Sequence, residues 1–454
     1  MQISVGDVLT LKIEKLTNLG LGMARPEGFV VFVENSCPED VIKAEIIKKN
    51  KHYATAKILE LINPSPMRTE VFCKMQKICG ACQLQYISYD AQLKYKREIV
   101  QDLLKGLSVE VRDVIPSPDI KEYRHKIQYP IGQTKNSKRI LAGYYKTGTH
   151  DIVNIKYCPI QPSYCDDIIE FIRNNTVKCG ISGYDENSHK GELRHVLIRT
   201  SSLNQKSLVV LVVNADFASK GIIKLGNDIY ENLKNISGVI VNFNNKKTNL
   251  ILGEKSKTII GNNYIEEILC DKIFKVGAKT FFQVNPKSAD NIFRYIKNYI
   301  SSEFKKPVIL DAYAGITAFG ICLSDIAEKI VSVEEVNDSV ELAENIIKEN
   351  EIKNIEIHCS DAGKFFSKEV LLGRQFNITV LDPPRKGCTT TSLDYALKLT
   401  KDKIIYVSCN PATLARDLKY LTEHGAKIES VQPFDMFPHT YHIENVAILD
   451  VQKL

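Results

Sequence analysis

The chain has 454 residues, 12 cysteines, and 60 Lys and Arg against 54 Asp and Glu. That length predicts two or three domains rather than one. No apolar run approaches the roughly 18 residues that cross a membrane, which excludes a membrane-spanning protein. The opening stretch Met1–Asp7 alternates like a strand and lacks the apolar core of a signal peptide. A cytoplasmic location is therefore expected, where clustered cysteines point to metal or catalysis more than to disulfides. The net charge of +6 is mild but uneven. Residues 71–150 carry 14 Lys and Arg against 7 Asp and Glu, whereas residues 1–60 carry 8 of each. The excess marks a basic face in the second segment, which suits either a nucleic-acid partner or an ordinary solvated surface.

Residues 1–62 read as a small all-β module. Asp7–Ile13, Gly28–Val33, Val41–Ile47 and Ala54–Glu60 alternate, with glycines 20, 22 and 28 at the turns. About five short strands suit a Greek-key barrel of the OB type. Asn18-Leu19-Gly20-Leu21-Gly22-Met23-Ala24-Arg25, followed by Pro38-Glu39-Asp40, resembles the TRAM domain of RNA-modifying enzymes.

Residues 63–270 are expected to form a central α/β domain. Cys73, Cys79 and Cys82 fall in a C-x5-C-x2-C pattern. Three thiols that close together can converge on one metal site. Cys158 is the preferred fourth ligand, ahead of Cys165 and Cys179. Four thiolates suit zinc or an iron–sulfur cluster, and the residues alone do not choose between them. A basic helical pattern runs from about Asp90 to Leu107. Arg124, Lys126, Lys138 and Arg139 follow, interleaved with Tyr129, Tyr144 and Tyr145. That mixture suits RNA phosphate contacts and base stacking. From Glu192 to Leu252, strands and a helix near Lys220–Leu233 carry no readable motif.

Residues 271–454 read as a doubly wound, Rossmann-like sheet. Val308–Asp311, Ile330–Glu334, Ile355–Asp361 and Ile378–Asp382 are strands that end in acids and alternate with helices. Ile404–Ser408 is a fifth buried strand, with Cys409 at its carboxyl end, just before Pro411 opens a helix. Open α/β sheets bind ligands at that edge, and a thiol beside a helix N-terminus ionises more easily. Ala426–Pro433 and Asn445–Val451 suggest an antiparallel edge hairpin. No G-x-G-x-x-G is present, only Gly315 and Gly320, so the first loop is a poor pyrophosphate cradle and NAD is disfavoured. A nucleoside without phosphates, such as S-adenosylmethionine, suits the crevice better. Glu334 is placed for its ribose and Asp361 for its adenine edge.

A thiol and carboxylates in one methyl-donor crevice imply a definite chemistry. Uracil C5 is a weak nucleophile until a thiolate adds to C6. After methylation the C5 proton must leave, which requires a base. Cys409 is the expected nucleophile and Glu444 the expected base. His442 competes for that second role, because alternation places it on the same face as Glu444.

Phe281–Pro286, Asp311–Gly315, Val333-Glu334, Leu381–Gly387, Ser408–Pro411 and His442-Ile443-Glu444 together resemble the bacterial RNA 5-methyluridine methyltransferases. The nearest group is the 23S ribosomal RNA enzymes of the RumA/RlmD type, over essentially the whole chain. The resemblance implies donor contacts from Gln283, Tyr313, Glu334, Asp382 and Asp361. It implies Cys409 as nucleophile and Glu444 as base, and a [4Fe–4S] cluster on Cys73, Cys79, Cys82 and Cys158, with zinc as the alternative. It also implies a cytoplasmic monomer acting on 23S ribosomal RNA, since tRNA enzymes of the family usually lack the TRAM-like module and the cysteines. Ala318 departs from relatives that carry a donor-contacting asparagine. Radical methylthiotransferases use C-x3-C-x2-C with the TRAM module last, so they match poorly. A non-catalytic RNA-binding protein would need neither Cys409 nor Glu444.

Overall fold

The alternation in the first sixty residues becomes one mixed six-stranded sheet in the computed structural model, which describes residues 3–451. Its strands are β1 (Val8–Lys12), β2 (Lys15–Leu16), β3 (Gly22–Ala24), β4 (Val30–Val33), β5 (Val41–Lys49) and β6 (Tyr53–Asn63), in the order β1-β5-β6-β4-β3-β2. The sixth strand, β2, is two residues long and too short to show a period. Every second residue of β1 turns inward, and Leu9, Leu11, Ile42, Ala44, Ile46, Val31 and Val33 share one core. Gly22 is required by close approach, since a Cβ there would lie 2.0 Å from Ser36 Oγ. The expected strand at Met1–Asp7 is not formed where it can be followed. Met1 and Gln2 lie outside the described residues, and Ser4–Asp7 is a turn in which the Ser4 N–H donates to Asp7 Oδ2 at 2.7 Å.

Next come α1 (Tyr89–Leu103) and a seven-stranded sheet. It is built from β7 (Lys126–Gln133), β8 (Ile140–Tyr145), β9 (Ile152–Asn154), β10 (Leu193–Thr200), β11 (Ser207–Val213), β12 (Ile236–Phe243) and β13 (Lys255–Gly261). The order is β13-β12-β11-β10-β7-β8-β9. Helices α2 (Ser163–Asn175) and α3 (Lys220–Asn232) cover one face, and α3 is the crossover between the parallel strands β11 and β12. Helix α1 stops at Leu103, short of the expected Leu107. Lys105–Leu107 tightens to a 3₁₀ turn, and Ser108 takes a left-handed φ of 50°.

The hairpin β14 (Tyr264–Leu269) and β15 (Lys272–Gly277) leads into α4 (Pro286–Glu303). Then β16 (Val308–Ala312), α5 (Ala318–Leu323), β17 (Lys329–Glu334), α6 (Asn337–Glu349), β18 (Ile355–Cys359), α7 (Ala362–Leu371), β19 (Phe376–Leu381), α8 (Thr390–Leu399), β20 (Thr400–Ser408), α9 (Pro411–Glu423), β21 (Ala426–Phe434) and β22 (Glu444–Val451) complete a sheet of order β18-β17-β16-β19-β20-β22-β21. Successive residues face opposite cores: Ile309, Ile330 and Ile405 pack with α4 and α5, and Leu310, Val331 and Ile404 with α7, α8 and α9. Strand order reverses between β16 and β19, the switch point at which open sheets bind ligands. Strand β22 runs antiparallel to both neighbours, so its first residue, Glu444, arrives on the edge where the parallel strands end.

Candidate active site

Six groups follow one another along that edge: Asp361 after β18, Glu334 on β17, Tyr313 after β16, Asp382 after β19, Cys409 after β20 and Glu444 on β22. Glu334 is held from both sides. Its Oε2 accepts the Gly315 N–H at 2.8 Å and its Oε1 the Val336 N–H at 2.9 Å. Tyr313 and Gly315 turn the loop between them with φ of 60° and 56°. Asp361 caps α7, accepting the Lys364 N–H at 2.9 Å, and is exposed. Asp311 points back into the fold. Its Oδ2 accepts from Thr317 Oγ1 and Gly320 N, both at 3.1 Å, which fixes the turn beneath the crevice. Gln283 lies apart from this row. It lines a small pocket with His125, Lys126, Arg199, Phe282 and Pro286, between the central sheet and α4.

Cys409 is placed by its neighbours in sequence. Asn410 caps α9 by accepting the Ala412 N–H at 3.1 Å, and its Nδ2 donates to the Arg385 carbonyl at 3.1 Å. The loop after β19 and the start of α9 are thereby tied together on either side of the thiol. Burial, then the Glu444 carboxylate, push the Cys409 thiol up to about 11, and Arg385 opposes them. Burial, then Asp382, push Glu444 up to about 8, again against Arg385. Asp382 is itself raised to about 7 by burial and by Asp311. The Glu444 carboxylate makes no hydrogen bond among the described residues, so it is a buried acid free to take a proton. His442 lies just before β22, packed on Tyr441 and Phe437 with ring centroids 4.4 and 5.6 Å away. Burial and the cations Arg385, Lys96 and Arg124 lower it to about 4. At neutral pH it is a neutral, weak base.

The sequence profile of tRNA (uracil-5-)-methyltransferases matches residues 88–452, and that of the TRAM domain matches residues 2–59. The chain belongs to this methyltransferase family. An uncharacterized RNA methyltransferase of Halalkalibacterium halodurans is 35% identical, over 99% of this chain and 98% of its own length. One from Clostridium tetani is 36% identical over 97% and 95%. Among solved structures, the tRNA (uracil-54, C5)-methyltransferase of Pyrococcus abyssi, in complex with S-adenosyl-L-homocysteine, superposes with a TM-score of 0.80 at 27% identity. It covers 97% of this chain and 100% of its own.

Outside the crevice of this uracil-5 methyltransferase, Cys73, Cys79, Cys82 and Cys158 line one small pocket with Met75, Ala81, Ile155 and Ile160. Among the described residues, no group of three or more Cys, His, Asp or Glu is arranged to hold a metal ion. Arg124, expected on the RNA-facing surface, is instead half-buried. Its guanidinium lies 5.7 Å from the Tyr144 ring, and its buried Nε has no hydrogen-bond partner. Lys138 and Arg139 are exposed, as a phosphate-contacting face requires.

Two features escape a reading of motifs. Arg385 acts on Cys409, Glu444 and His442 together. Its only sequence signal is its place three residues after Asp382. The loop 435–442, which delivers Glu444, is pinned from distant segments. Lys96 Nζ donates to Asp435 Oδ1 at 2.6 Å, the His439 N–H to Gln92 Oε1 at 2.9 Å, Tyr123 Oη to the Pro438 carbonyl at 2.9 Å and Asn285 Nδ2 to the Met436 carbonyl at 3.1 Å. No local pattern could reveal such partners.

Proposed function

We propose that this protein transfers a methyl group from S-adenosylmethionine to C5 of a uridine in 23S ribosomal RNA, in the cytoplasm and as a monomer. The observation that carries the reading is a thiol and an unpartnered buried carboxylate, Cys409 and Glu444, on adjacent strands of a methyltransferase sheet edge. Cys409, having lost its proton, adds as a thiolate to uracil C6; the C5=C6 electrons shift into an enolate that makes C5 nucleophilic. C5 takes the methyl group, leaving the donor's sulfur a neutral thioether. Glu444 takes the C5 proton, the C6–S bond breaks, and the C5–C6 double bond is restored. Gln283, Tyr313, Glu334, Asp361 and Asp382 are assigned to the donor; the doubly held carboxylate of Glu334 suits ribose hydroxyls. Residues 1–62 and 63–270 hold RNA, and residues 271–454 perform the chemistry.

Cys73, Cys79, Cys82 and Cys158 would hold a [4Fe–4S] cluster. Four thiolates are the ligand set that the family resemblance implies for it, with zinc as the alternative. Bound there, the cluster would add a cross-link between segments that already share a small apolar core with Val153, Ile155 and Ile160.

A second reading, with tRNA as substrate, is favoured by the Pyrococcus abyssi likeness. That likeness spans 97% of this chain, so the N-terminal module does not by itself separate the two RNA classes. Mapping 5-methyluridine in the ribosomal and transfer RNA of a deletion strain tests both. Loss from 23S RNA supports the first reading, and loss from tRNA alone replaces it. In vitro, Glu444→Gln is expected to accumulate a denaturation-resistant protein–RNA adduct that carries the donor's methyl group, because the C5 proton has no acceptor. Cys409→Ala should form neither adduct nor product. Normal turnover by Glu444→Gln would pass the base's role to His442 or another group.

A further inference from the structure

We propose that Lys126 and Arg199 form a phosphate site for the RNA backbone in the pocket beside Gln283, a proposal that rests on the reading of the protein as an RNA methyltransferase. Strands β7 and β10 pair antiparallel, with Arg199 and Lys126 as direct cross-strand partners. Like charges directly opposite on a ladder are destabilising. Among the described residues, no carboxylate pairs with either. Arg199 is 3% exposed; its Nη2 donates to the Thr280 carbonyl, and its buried Nε has no partner. The Lys126 ammonium makes no hydrogen bond or ion pair among the described residues. One carboxylate lines the pocket, that of Glu267, and it is already engaged. It accepts from Ser202 N at 2.9 Å, Ser202 Oγ at 2.6 Å and Ile268 N at 3.1 Å. Two half-buried or buried cations without a counter-charge call for an anion from outside the chain.

The surroundings specify that anion. The pocket is small and lined by His125, Lys126, Arg199, Thr200, Gln283 and Pro286, which excludes a nucleoside. Pro286, the first residue of the eighteen-residue helix α4, lines it, which places the first turn of that helix beside the same space. Lys126 and Arg199 belong to the central sheet, away from the row of acids assigned to the donor. An RNA phosphate held here would also be registered to the chemistry, because Asn285 and Ser288 at the start of α4 hold the Met436 and Asp435 carbonyls of the loop that delivers Glu444.

The test compares the intact protein with Lys126→Gln, Lys126→Arg and Arg199→Gln. Affinity for a short single-stranded oligouridylate is measured across a salt series, and binding of S-adenosylhomocysteine by calorimetry. Lys126→Gln should weaken RNA binding and lower the salt slope by about one unit. Lys126→Arg should keep the slope, and the thioether should bind all variants alike. Arg199 is buried, so its variant counts only if folded; Lys126, at the pocket's half-buried side, carries the test without it. An unchanged slope in folded Lys126→Gln overturns the proposal. So does a loss of S-adenosylhomocysteine binding with RNA affinity intact, which would assign the pocket to the donor's carboxylate, and so does a wild-type protein without RNA affinity. Wild-type protein that binds oligouridylate but methylates no uridine removes the proposed function and leaves this comparison standing.

Discussion

Glu444 carries a folded-state affinity for protons far above that of an ordinary carboxyl, near 8 against 4.5. Between those values the folded protein holds a proton that the unfolded chain has released, so stability falls as pH rises. Glu444→Gln removes that slope. The variant should gain on the wild type in thermal midpoint from pH 5 to 8, by at most a few kcal/mol, since each pKa unit is worth about 1.4 kcal/mol. Parallel melting curves at all pH values would show that Glu444 ionises freely. Activity should move the opposite way, rising through pH 8 as the base form and then the Cys409 thiolate, near 11, become populated. At this scale the sequence was informative where chemistry is local. Ser408-Cys409-Asn410-Pro411 announces a thiol between strand and helix. The proton affinities were not legible, because they come from burial and from Asp382 and Arg385 on another loop. The Lys126–Arg199 pair was not legible either, since it exists only once β7 and β10 find their register.

Elements were legible in proportion to how far their own residues decide them. The five parallel strands that begin the last sheet, apolar and each ending at or beside an acid or a cysteine, emerge close to their expected limits, except that β20 starts at Thr400 rather than Ile404. Helix α2 escaped notice although Cys165, Ile168, Ile169 and Ile172 form a regular buried stripe. The loop 435–442 has no period at all, and its shape comes from its partners. The pair Lys96–Asp435 is its most buried support, with side chains 1% and 0% exposed. Removing one partner strands the other charge, at about 3–5 kcal/mol. Lys96→Met should therefore lower the denaturant midpoint and slow methyl transfer, through displacement of Glu444. Lys96→Met with Asp435→Leu should recover stability before activity. A single variant as stable as wild type would mean that Asp435 takes a proton at little cost.

At the scale of the molecule, the cysteine cavity joins chain segments around residues 73–82 and 158, and the TRAM strands precede both. Protein purified without oxygen is expected to be brown and to hold about four irons per chain. Cys158→Ser should lose both colour and iron. A colourless protein with one tightly bound zinc would overturn the cluster. The supports of loop 435–442 have a kinetic side. Lys96 and Asp435 are 339 residues apart in sequence, and Gln92 and His439 are 347 apart. Contacts that distant form late in folding, because the intervening chain must first be ordered. A partly folded molecule thus has Cys409 on its strand before the base is docked. The ability to release a captured uridine should return in the slowest refolding phase, making this site a reporter of completed assembly.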